Sequence, residues 1–174
     1  MLTGRAFGRG LLLLAFALGA AGCGSYGFSS SLLPDHIRSV AVPLPENRTN
    51  RGDLATALAD SLTEALLDDQ TLKVVAEKDA DSVVEGVVLE YRREPFTFDA
   101  QESVQTYRVE IVLEARFVDV RKNRVIWEEK RLAQWDTYNF ASVGGQPAET
   151  EEIGIGRVLA KLTDDVVNRT LQAW

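Results

Sequence analysis

The chain contains few of the residue types that build metal sites, disulfides and nucleophilic catalytic centres. Among its 174 residues there are one cysteine and one histidine. A zinc or iron–sulfur site needs several such ligands and a disulfide needs two cysteines, so this chain alone supplies none of them. The chain also has no second His or Cys to form a nucleophile–base pair, no Gly-x-Ser-x-Gly elbow and no phosphate-binding glycine loop. We therefore expect a protein that is not an enzyme and has no metal or cofactor.

Positive charge is also scarce. The 19 Lys and Arg residues stand against 26 Asp and Glu residues, giving a net charge of −7. This balance argues against a general nucleic-acid-binding protein. Hydrophobic residues make up 45% and charged residues 26%, which is typical of a folded globular protein and excludes a polytopic membrane protein. The length corresponds to one domain.

The N-terminal segment has the pattern of a secretory signal peptide. Arg5 and Arg9 precede an uncharged run over residues 11–21, which as a helix would span only ~17 Å of a hydrocarbon core of ~30 Å. A basic start, a short apolar run and small residues beyond it are the features of such a signal. The following Ala20-Ala21-Gly22-Cys23 resembles a bacterial lipobox, in which the cysteine becomes the lipidated first residue.

We therefore expect residues 1–22 to be removed and Cys23 to anchor the mature chain through its acyl chains. Several acyl chains make such anchoring effectively permanent. The residue after Cys23 is glycine rather than aspartate, which in this sorting pattern favours the outer membrane. The alternative is that Cys23 is an ordinary small core residue behind a plain secretory signal. The mature chain would have 17 basic and 26 acidic residues and a net charge of −9.

Residues 23–33 are rich in Gly and Ser and are predicted to be a flexible tether, with the folded domain over residues 34–174. A first strand is predicted over residues 37–42, closed by a turn at Pro45, Glu46 and Asn47. Leucines at i, i+4 spacing from Leu54 predict an amphipathic helix that Asn50 or Asp53 caps. A second helix is predicted from Thr150 onward, with Glu151 and Glu152 in its first turn.

Between the helices the sequence has strand patterns. Residues 83–91 are rich in valine, with Gly86 as a bulge or a point of close approach. Residues 107–117 have the clearest period of two in the chain, with Val112 at one of the otherwise polar positions. Residues 125–135 follow a hairpin turn, and their imperfect alternation indicates a bulge. Loops are predicted at residues 96–98 and 138–148. His36 is expected to be a solvated or capping residue.

The order strand, helix, three strands, helix predicts an α+β two-layer sandwich. Each helix has a single apolar stripe and the best strand has a single apolar face, so both helices are expected on one face of a mostly antiparallel (mixed) four-stranded sheet. The polar residues of the central strand would line the other face, which is left to water or to a partner: Arg108, Glu110, Glu114 and Arg116.

The order and spacing of several short motifs resemble the LptE family of lipopolysaccharide-assembly lipoproteins. The motifs are Cys23-Gly24-Ser25-Tyr26-Gly27-Phe28, Leu33-Pro34 with Ile37 and Ser39-Val40-Ala41-Val42-Pro43, Asn47-Arg48-Thr49, Asp79-Ala80-Asp81, Val83-Val84-Glu85-Gly86, Tyr107-Arg108-Val109, Phe117 with Asp119, and Val125-Ile126-Trp127. The resemblance implies two helices on a four-stranded sheet. It also implies a plug inside the large outer-membrane barrel LptD that helps the barrel to assemble and aids delivery of lipopolysaccharide to the outer leaflet.

The chief alternative shares the Val-Pro-x-x-x-Asn-Arg-Thr element and is a periplasmic lipoprotein scaffold of the TolB or curli-secretion type. For the LptE interpretation, Phe96 and Tyr138 are the candidate contacts with the barrel wall, because surface aromatics near flexible glycines are enriched at interfaces. The alternative for both aromatics is local packing of their loops onto the core.

Lipopolysaccharide has anionic phosphates, so a chain of net negative charge needs a local basic patch to bind it. The segment from Arg92 to Arg131 has nine basic and eight acidic residues and is the least acidic part of the predicted mature chain. Within it we expect Arg92, Arg93, Lys130 and Arg131 to contact lipopolysaccharide, since the planar arginine fork suits phosphate oxygens. The alternative is cross-strand pairing of these cations with Glu110, Glu114 and Glu128.

Overall fold

A computed structural model describes residues 33–171 of the chain. The predicted signal peptide of residues 1–22, the predicted anchor Cys23 and all but the last residue of the predicted tether 23–33 lie outside the described residues. Within the described range, no helix is both long enough and apolar enough to cross a membrane.

Six strands and two α-helices follow one another along the described residues. In chain order they are β1 (Ser39–Ala41), β2 (Glu46–Asn47), α1 (Leu54–Asp69), β3 (Lys73–Val74), β4 (Ser82–Phe98), β5 (Val104–Asp119), β6 (Arg124–Asn139) and α2 (Glu151–Leu171), with a short 3-10 helix at Glu77–Asp79. The strands form one mixed sheet in the order β3-β1-β4-β5-β6, and β2 pairs with β4. The predicted α+β class with two helices and a mixed sheet is confirmed, whereas the predicted number of four strands is wrong.

The two additional strands have two residues each, which is too short for an alternating pattern to reveal them. β3 pairs in parallel with β1, and β2 pairs in parallel with β4 through Glu46 opposite Val87. The turn predicted at residues 45–47 is therefore partly strand. A side-chain carbon placed on Gly86 would lie 3.5 Å from Leu113 Cδ1 and from Pro45 Cβ. This is an ordinary van der Waals distance, so the prediction of a bulge or a close approach at Gly86 is wrong. The register shift in β4 falls at Leu89 instead.

The loop before α1 is held by the side chain of Asn47 rather than by a helix cap. Asn47 Oδ1 accepts hydrogen bonds from the amide and the hydroxyl of Thr49 at 2.9 and 2.8 Å, and its Nδ2 donates to the carbonyl of Arg51 at 2.6 Å. Asp53 is the N-cap residue but makes no side-chain capping bond, because its carboxylate binds the guanidinium of Arg51 at 3.1 Å. The predicted capping by Asn50 or Asp53 side chains is wrong.

One apolar core lies between the helices and one face of the sheet, as expected for a two-layer sandwich. The fully buried side chains of this core come from α1, α2, β1, β4 and β5: Leu54, Leu58, Leu66, Val158, Leu162, Val40, Val88, Val109, Ile111, Leu113 and Phe117. On β5 the alternating apolar positions point to the helices, and the polar positions between them define the open face of the sheet.

The three long strands extend beyond their predicted ends. β4 includes Phe96–Phe98 and β6 includes Tyr138 and Asn139, so the predicted loops at these positions are strand. The loop after β6 begins at Phe140. The predicted bulge in β6 is confirmed, since Leu132 pairs with Leu113 and Glu129 with Ala115, which places Lys130 and Arg131 together opposite one residue of β5.

Candidate ligand- and partner-binding surface

A row of alternating charges crosses the open face on the three long strands. Glu90 accepts hydrogen bonds from Arg131 Nη1 at 2.7 Å and from Arg92. Arg92 Nη1 and Arg108 Nη2 lie 4.0 and 3.8 Å from Glu110 Oε2. We call these five residues the charge row: Arg131, Glu90, Arg92, Glu110 and Arg108.

Three arginines against two glutamates give the charge row a net charge of +1, in a mature chain of predicted net charge −9. Hydrogen bonds from Arg131 and then Arg92 lower the pKa of Glu90, so its carboxylate remains charged at neutral pH. Exposed ion pairs of this kind contribute little to stability, because solvent screens the charges. Arg131 on β6 pairs across the sheet with Glu90 on β4, which the stated alternative did not name. Arg92 pairs with Glu90 on its own strand and lies 4.0 Å from Glu110 on β5, so for Arg92 the alternative of cross-strand pairing with Glu110 is what the structure shows.

Exposed aromatic rings surround the end of the sheet where β4 and β6 terminate and β5 begins. Four rings are about half exposed: Phe96, Phe98, Trp135 and Phe140. The centroids of Phe96 and Trp135 are 6.3 Å apart, and Phe140 packs edge-on against Tyr107 at 5.1 Å. We call these four rings the aromatic end. Phe96 and Trp135 meet on the open face, whereas Phe140 meets Tyr107, which packs against Arg93 on the helix side. Exposed aromatic side chains are enriched at interaction sites.

Arg93 lies on the helix side of the sheet, away from the charge row. Its guanidinium carbon is 3.6 Å from the centroid of the Tyr107 ring, and its Nε donates to Tyr138 Oη at 2.6 Å. The same Nε lies 3.1 Å from Glu151 Oε2 in the first turn of α2. Glu151 also binds Arg51 and accepts a hydrogen bond from the Tyr91 hydroxyl. Arg93 therefore links α2 to the sheet through its ion pair with Glu151.

The structure brings together three of the four predicted lipopolysaccharide contacts. Arg92 and Arg131 share Glu90 on the open face, and exposed Lys130 adjoins Arg131 in the β6 bulge. Arg93 is separated from them by the sheet because its neighbour in sequence points to the opposite face. The prediction treated Arg92 and Arg93 as one dibasic end of a strand, and the structure divides them.

The two predicted barrel contacts differ in accessibility. The Phe96 ring is 49% exposed at the aromatic end, whereas Tyr138 is 2% exposed. Tyr138 stacks on Tyr107 with a centroid distance of 5.8 Å and an interplanar angle of 19°. The side chain of Tyr138 thus packs locally in the isolated domain, which is the alternative stated for it above.

His36 is neither solvated nor a helix cap. Its Nε2 lies 2.8 Å from Oδ2 of Asp119, a fully buried carboxylate, and its own side chain is 26% exposed. Asp119 also accepts from the amide of Lys122 at 3.0 Å. This pair joins the start of the domain to the end of β5. No group of three or more potential ligands within residues 33–171 is arranged to hold a metal ion.

Comparison with known protein families identifies the family of this domain. A model of the LptE family, described as lipopolysaccharide-assembly, matches residues 37–170. The chain belongs to the LptE family. No curated protein matches the chain significantly.

Solved structures share the fold of this domain at low sequence identity. A hypothetical protein from Chlamydia trachomatis is 14% identical with a TM-score of 0.54, and the match covers 77% of this chain and 95% of the other. The rare lipoprotein B from Shewanella oneidensis is 12% identical with a TM-score of 0.50 over 75% and 92% of the two chains. An uncharacterized lipoprotein B from Nitrosomonas europaea is 14% identical with a TM-score of 0.51 over 80% and 84%. These likenesses establish the fold.

The LptE-family domain has features of its surface that the sequence did not reveal. Glu90 organises the charge row although the sequence predicted no role for it, and Arg108 lies over Trp135 with its guanidinium carbon 4.7 Å from the ring centroid. A groove of about 300 Å³ lies farther along the open face beside Gly86. Its cations are paired, Arg48 with Glu46 at 2.8 Å and Arg116 with Glu85.

Proposed function

We propose that this LptE-family protein is a lipoprotein of the outer membrane that acts with a large β-barrel partner of the LptD type. In this role it plugs the barrel, assists its assembly and helps to deliver lipopolysaccharide to the outer leaflet. The role is non-catalytic, because it consists of binding and positioning. The observation that carries the proposal is the family match across residues 37–170, which spans almost the whole folded domain.

The aromatic end is the surface best suited to the barrel wall. Phe96, Phe98 and Phe140 are each about half exposed and lie at one end of the sheet. Aromatic side chains supply large contact area at interfaces and are enriched among the residues that dominate binding energy. Tyr138 contributes to this end indirectly. Its buried ring stacks on Tyr107, and Phe140 packs against the same Tyr107 ring.

Site-specific crosslinking in cells tests the barrel contact. A photoreactive residue at Phe96 or Phe140 should capture a large outer-membrane barrel, and one at the exposed Asp60 on α1 should not. Capture from Phe96 and Asp60 with equal efficiency would show that the contact is not specific to the aromatic end. Absence of a barrel from the affinity-purified wild-type complex would contradict the plug role itself.

The lipid anchor is tested at Cys23. Cys23→Ala should release the protein from the outer-membrane fraction or leave an uncleaved precursor in the inner membrane. Intact-mass measurement of the membrane-extracted wild type should show a chain that begins at Cys23 and bears acyl chains. A mass corresponding to an intact Met1 terminus or a free Cys23 thiol would contradict the anchor.

The exposed cations of the β4 and β6 strands are proposed to meet the phosphates of lipopolysaccharide. Arg92, Lys130 and Arg131 are exposed on connected parts of the surface, and charge reversal of all three should weaken lipopolysaccharide binding at low salt while the thermal unfolding temperature stays close to that of wild type. Arg93→Glu is the contrasting variant. It should destabilise the fold, because it places a carboxylate beside Glu151 in the first turn of α2.

The alternative role as a TolB- or curli-secretion-type scaffold gains no support from the shared Asn47-Arg48-Thr49 element. The hydrogen bonds of Asn47 stay within residues 47–51 and shape the loop before α1. Such a loop serves any domain with this strand–helix connection, so the element does not distinguish between the two roles.

A further inference from the structure

Arg108 is an arginine whose hydrogen-bonding capacity the fold does not use. Its side chain is 28% exposed and its Nε atom is buried without a hydrogen-bond partner. The carboxylate oxygen of Glu110 is 3.8 Å from Nη2, beyond hydrogen-bond distance, and Glu110 is shared with Arg92. A guanidinium offers five donors, and leaving donors unmade at a part-buried site lowers stability. The charge at Arg108 is thus incompletely neutralised within the described domain.

Apolar surface adjoins this cation on one side. The Trp135 ring lies 4.7 Å from the Arg108 guanidinium carbon, measured to its centroid, and Phe96 lies 6.3 Å beyond it. Trp135 is 47% exposed, so its outer surface is open to solvent. An arginine stacked on an aromatic ring remains charged and can still bind an anion through its edge.

We propose that Arg108, Trp135 and Phe96 form a binding site for the phosphate and adjoining acyl chain of a phosphorylated glycolipid. Arg108 would donate to the phosphate oxygens, and the two aromatic rings would pack against the apolar portion. The inference rests on the proposed function and assigns to it a site different from the exposed Arg92, Lys130 and Arg131. A free anion would use Arg108 alone and leave the neighbouring rings exposed, so the combination favours an amphiphile.

The ion pairing of the open face agrees with this occupant. The net charge of the mature chain repels an anionic lipid at a distance, and Glu94 stands opposite Arg108 in the β4–β5 register, so attraction at this site depends on short-range hydrogen bonds from the Arg108 guanidinium. Arginine forms two parallel hydrogen bonds with phosphate. Because Arg108 holds no carboxylate at hydrogen-bond distance, a phosphate there displaces no hydrogen-bonded ion pair, unlike one that binds Arg131 or Arg92, which are bonded to Glu90.

The test compares Arg108→Gln with Arg116→Gln in the full acylated protein purified in detergent. Arg116 is the matched control, since it lies on the same strand and face but is paired with Glu85. The probes are diphosphorylated lipid A, lipid A freed of both phosphates, and inorganic phosphate. For diphosphorylated lipid A, Arg108→Gln should weaken binding at least tenfold and Arg116→Gln by less than twofold. Wild type should bind lipid A freed of both phosphates at least tenfold more weakly than diphosphorylated lipid A. For Arg108→Gln, the affinities for these two lipids should differ little.

Trp135 provides a second readout. Lipid A should shift the emission of wild-type protein to shorter wavelength, and the shift should be lost in Trp135→Phe. Arg108→Lys keeps the positive charge but loses the planar guanidinium, so it should bind lipid A with an affinity between those of wild type and Arg108→Gln. Such intermediate binding would show that the loss in Arg108→Gln does not come from misfolding. Equal binding of lipid A by Arg108→Gln and wild type would overturn the inference while the proposed function stands. Equally tight binding of inorganic phosphate would overturn the amphiphile as occupant. Failure of wild type to bind lipid A, despite capture of the barrel, would refute the direct lipid contact in both proposals.

Discussion

Gly154 and Gly156 lie two residues apart in the first turns of α2, and alanine at these two positions should have opposite effects on stability. In an exposed helix either substitution gains about 0.8–1 kcal/mol from helix propensity. A Cβ on Gly154, however, would lie 2.9 Å from Cδ1 and 3.3 Å from Cβ of Tyr138, whereas a Cβ on Gly156 would have nothing within 4 Å. The Tyr138 ring cannot move aside easily, because Arg93 donates to its hydroxyl at 2.6 Å.

Overpacking of a well-filled core costs about 1–3 kcal/mol. Gly156→Ala should therefore stabilise the domain by up to about 1 kcal/mol, whereas Gly154→Ala should range from neutral to about 2 kcal/mol destabilising. The propensity gain is common to both variants, so the difference between them, about 1–3 kcal/mol, isolates the cost of the contact with Tyr138. At ~4 °C per kcal/mol this corresponds to a difference of ~4–12 °C in the unfolding temperature.

Urea unfolding followed by circular dichroism measures this difference, and an unchanged m-value confirms that the denatured state is not altered. In a Tyr138→Ala background the contrast between Gly154→Ala and Gly156→Ala should shrink toward zero, because the obstructing ring is gone. If Gly154→Ala proves as stable as Gly156→Ala in the wild-type background, α2 does not pack on β6 as closely as the structure shows, and the reasoning is refuted.

Two further predictions concern the loop before α1 and the end of β5. Asn47→Ala should lower the free energy of unfolding by about 1–3 kcal/mol through loss of three hydrogen bonds, whereas Asn50→Ala, at an exposed position, should change it by less than about 0.5 kcal/mol; side-by-side urea unfolding measures the contrast. Burial raises the pKa of Asp119, but hydrogen bonds from the Lys122 amide and from His36 lower it by more, so the net pKa is below its ordinary value. A lowered pKa contributes stability that is present above the unfolded value of about 4 and is lost as pH falls through the folded value. Wild type should therefore lose more stability than Asp119→Asn between pH 7 and pH 3 in a pH series of thermal unfolding, and equal losses would contradict the role of this carboxylate.

Periodicity was sufficient to predict the elements that bury an apolar face over several turns or residues. Leucine spacing predicted α1, a period of two broken only at Val112 predicted β5, and irregular alternation predicted the bulge in β6. The same reasoning missed β2 and β3, because a two-residue strand has no period and is held only by the strand beside it. It also ended β4 too early, since Arg93 and Phe98 are exposed or polar and are paired with β5 by main-chain register, while Phe96 lies at a register shift between Pro95 and Thr97.

The candidate surface was harder to predict than the fold, because one inserted residue decides which arginine faces outward. From Val84 to Val88 the alternate residues of β4 point to the helices, and unbroken alternation would continue this through Arg92 and put Arg93 on the open face. The register shift at Leu89 reverses the phase, so that Tyr91 and Arg93 point to α2 and Arg92 joins Glu110 on the open face. A bulge reveals itself in sequence only where it breaks a clear pattern, and the run of valines around Gly86 offers none. The assignment of Arg93 to the network at Glu151, and of Arg92 to the charge row, therefore depends on main-chain geometry that residue types alone do not encode.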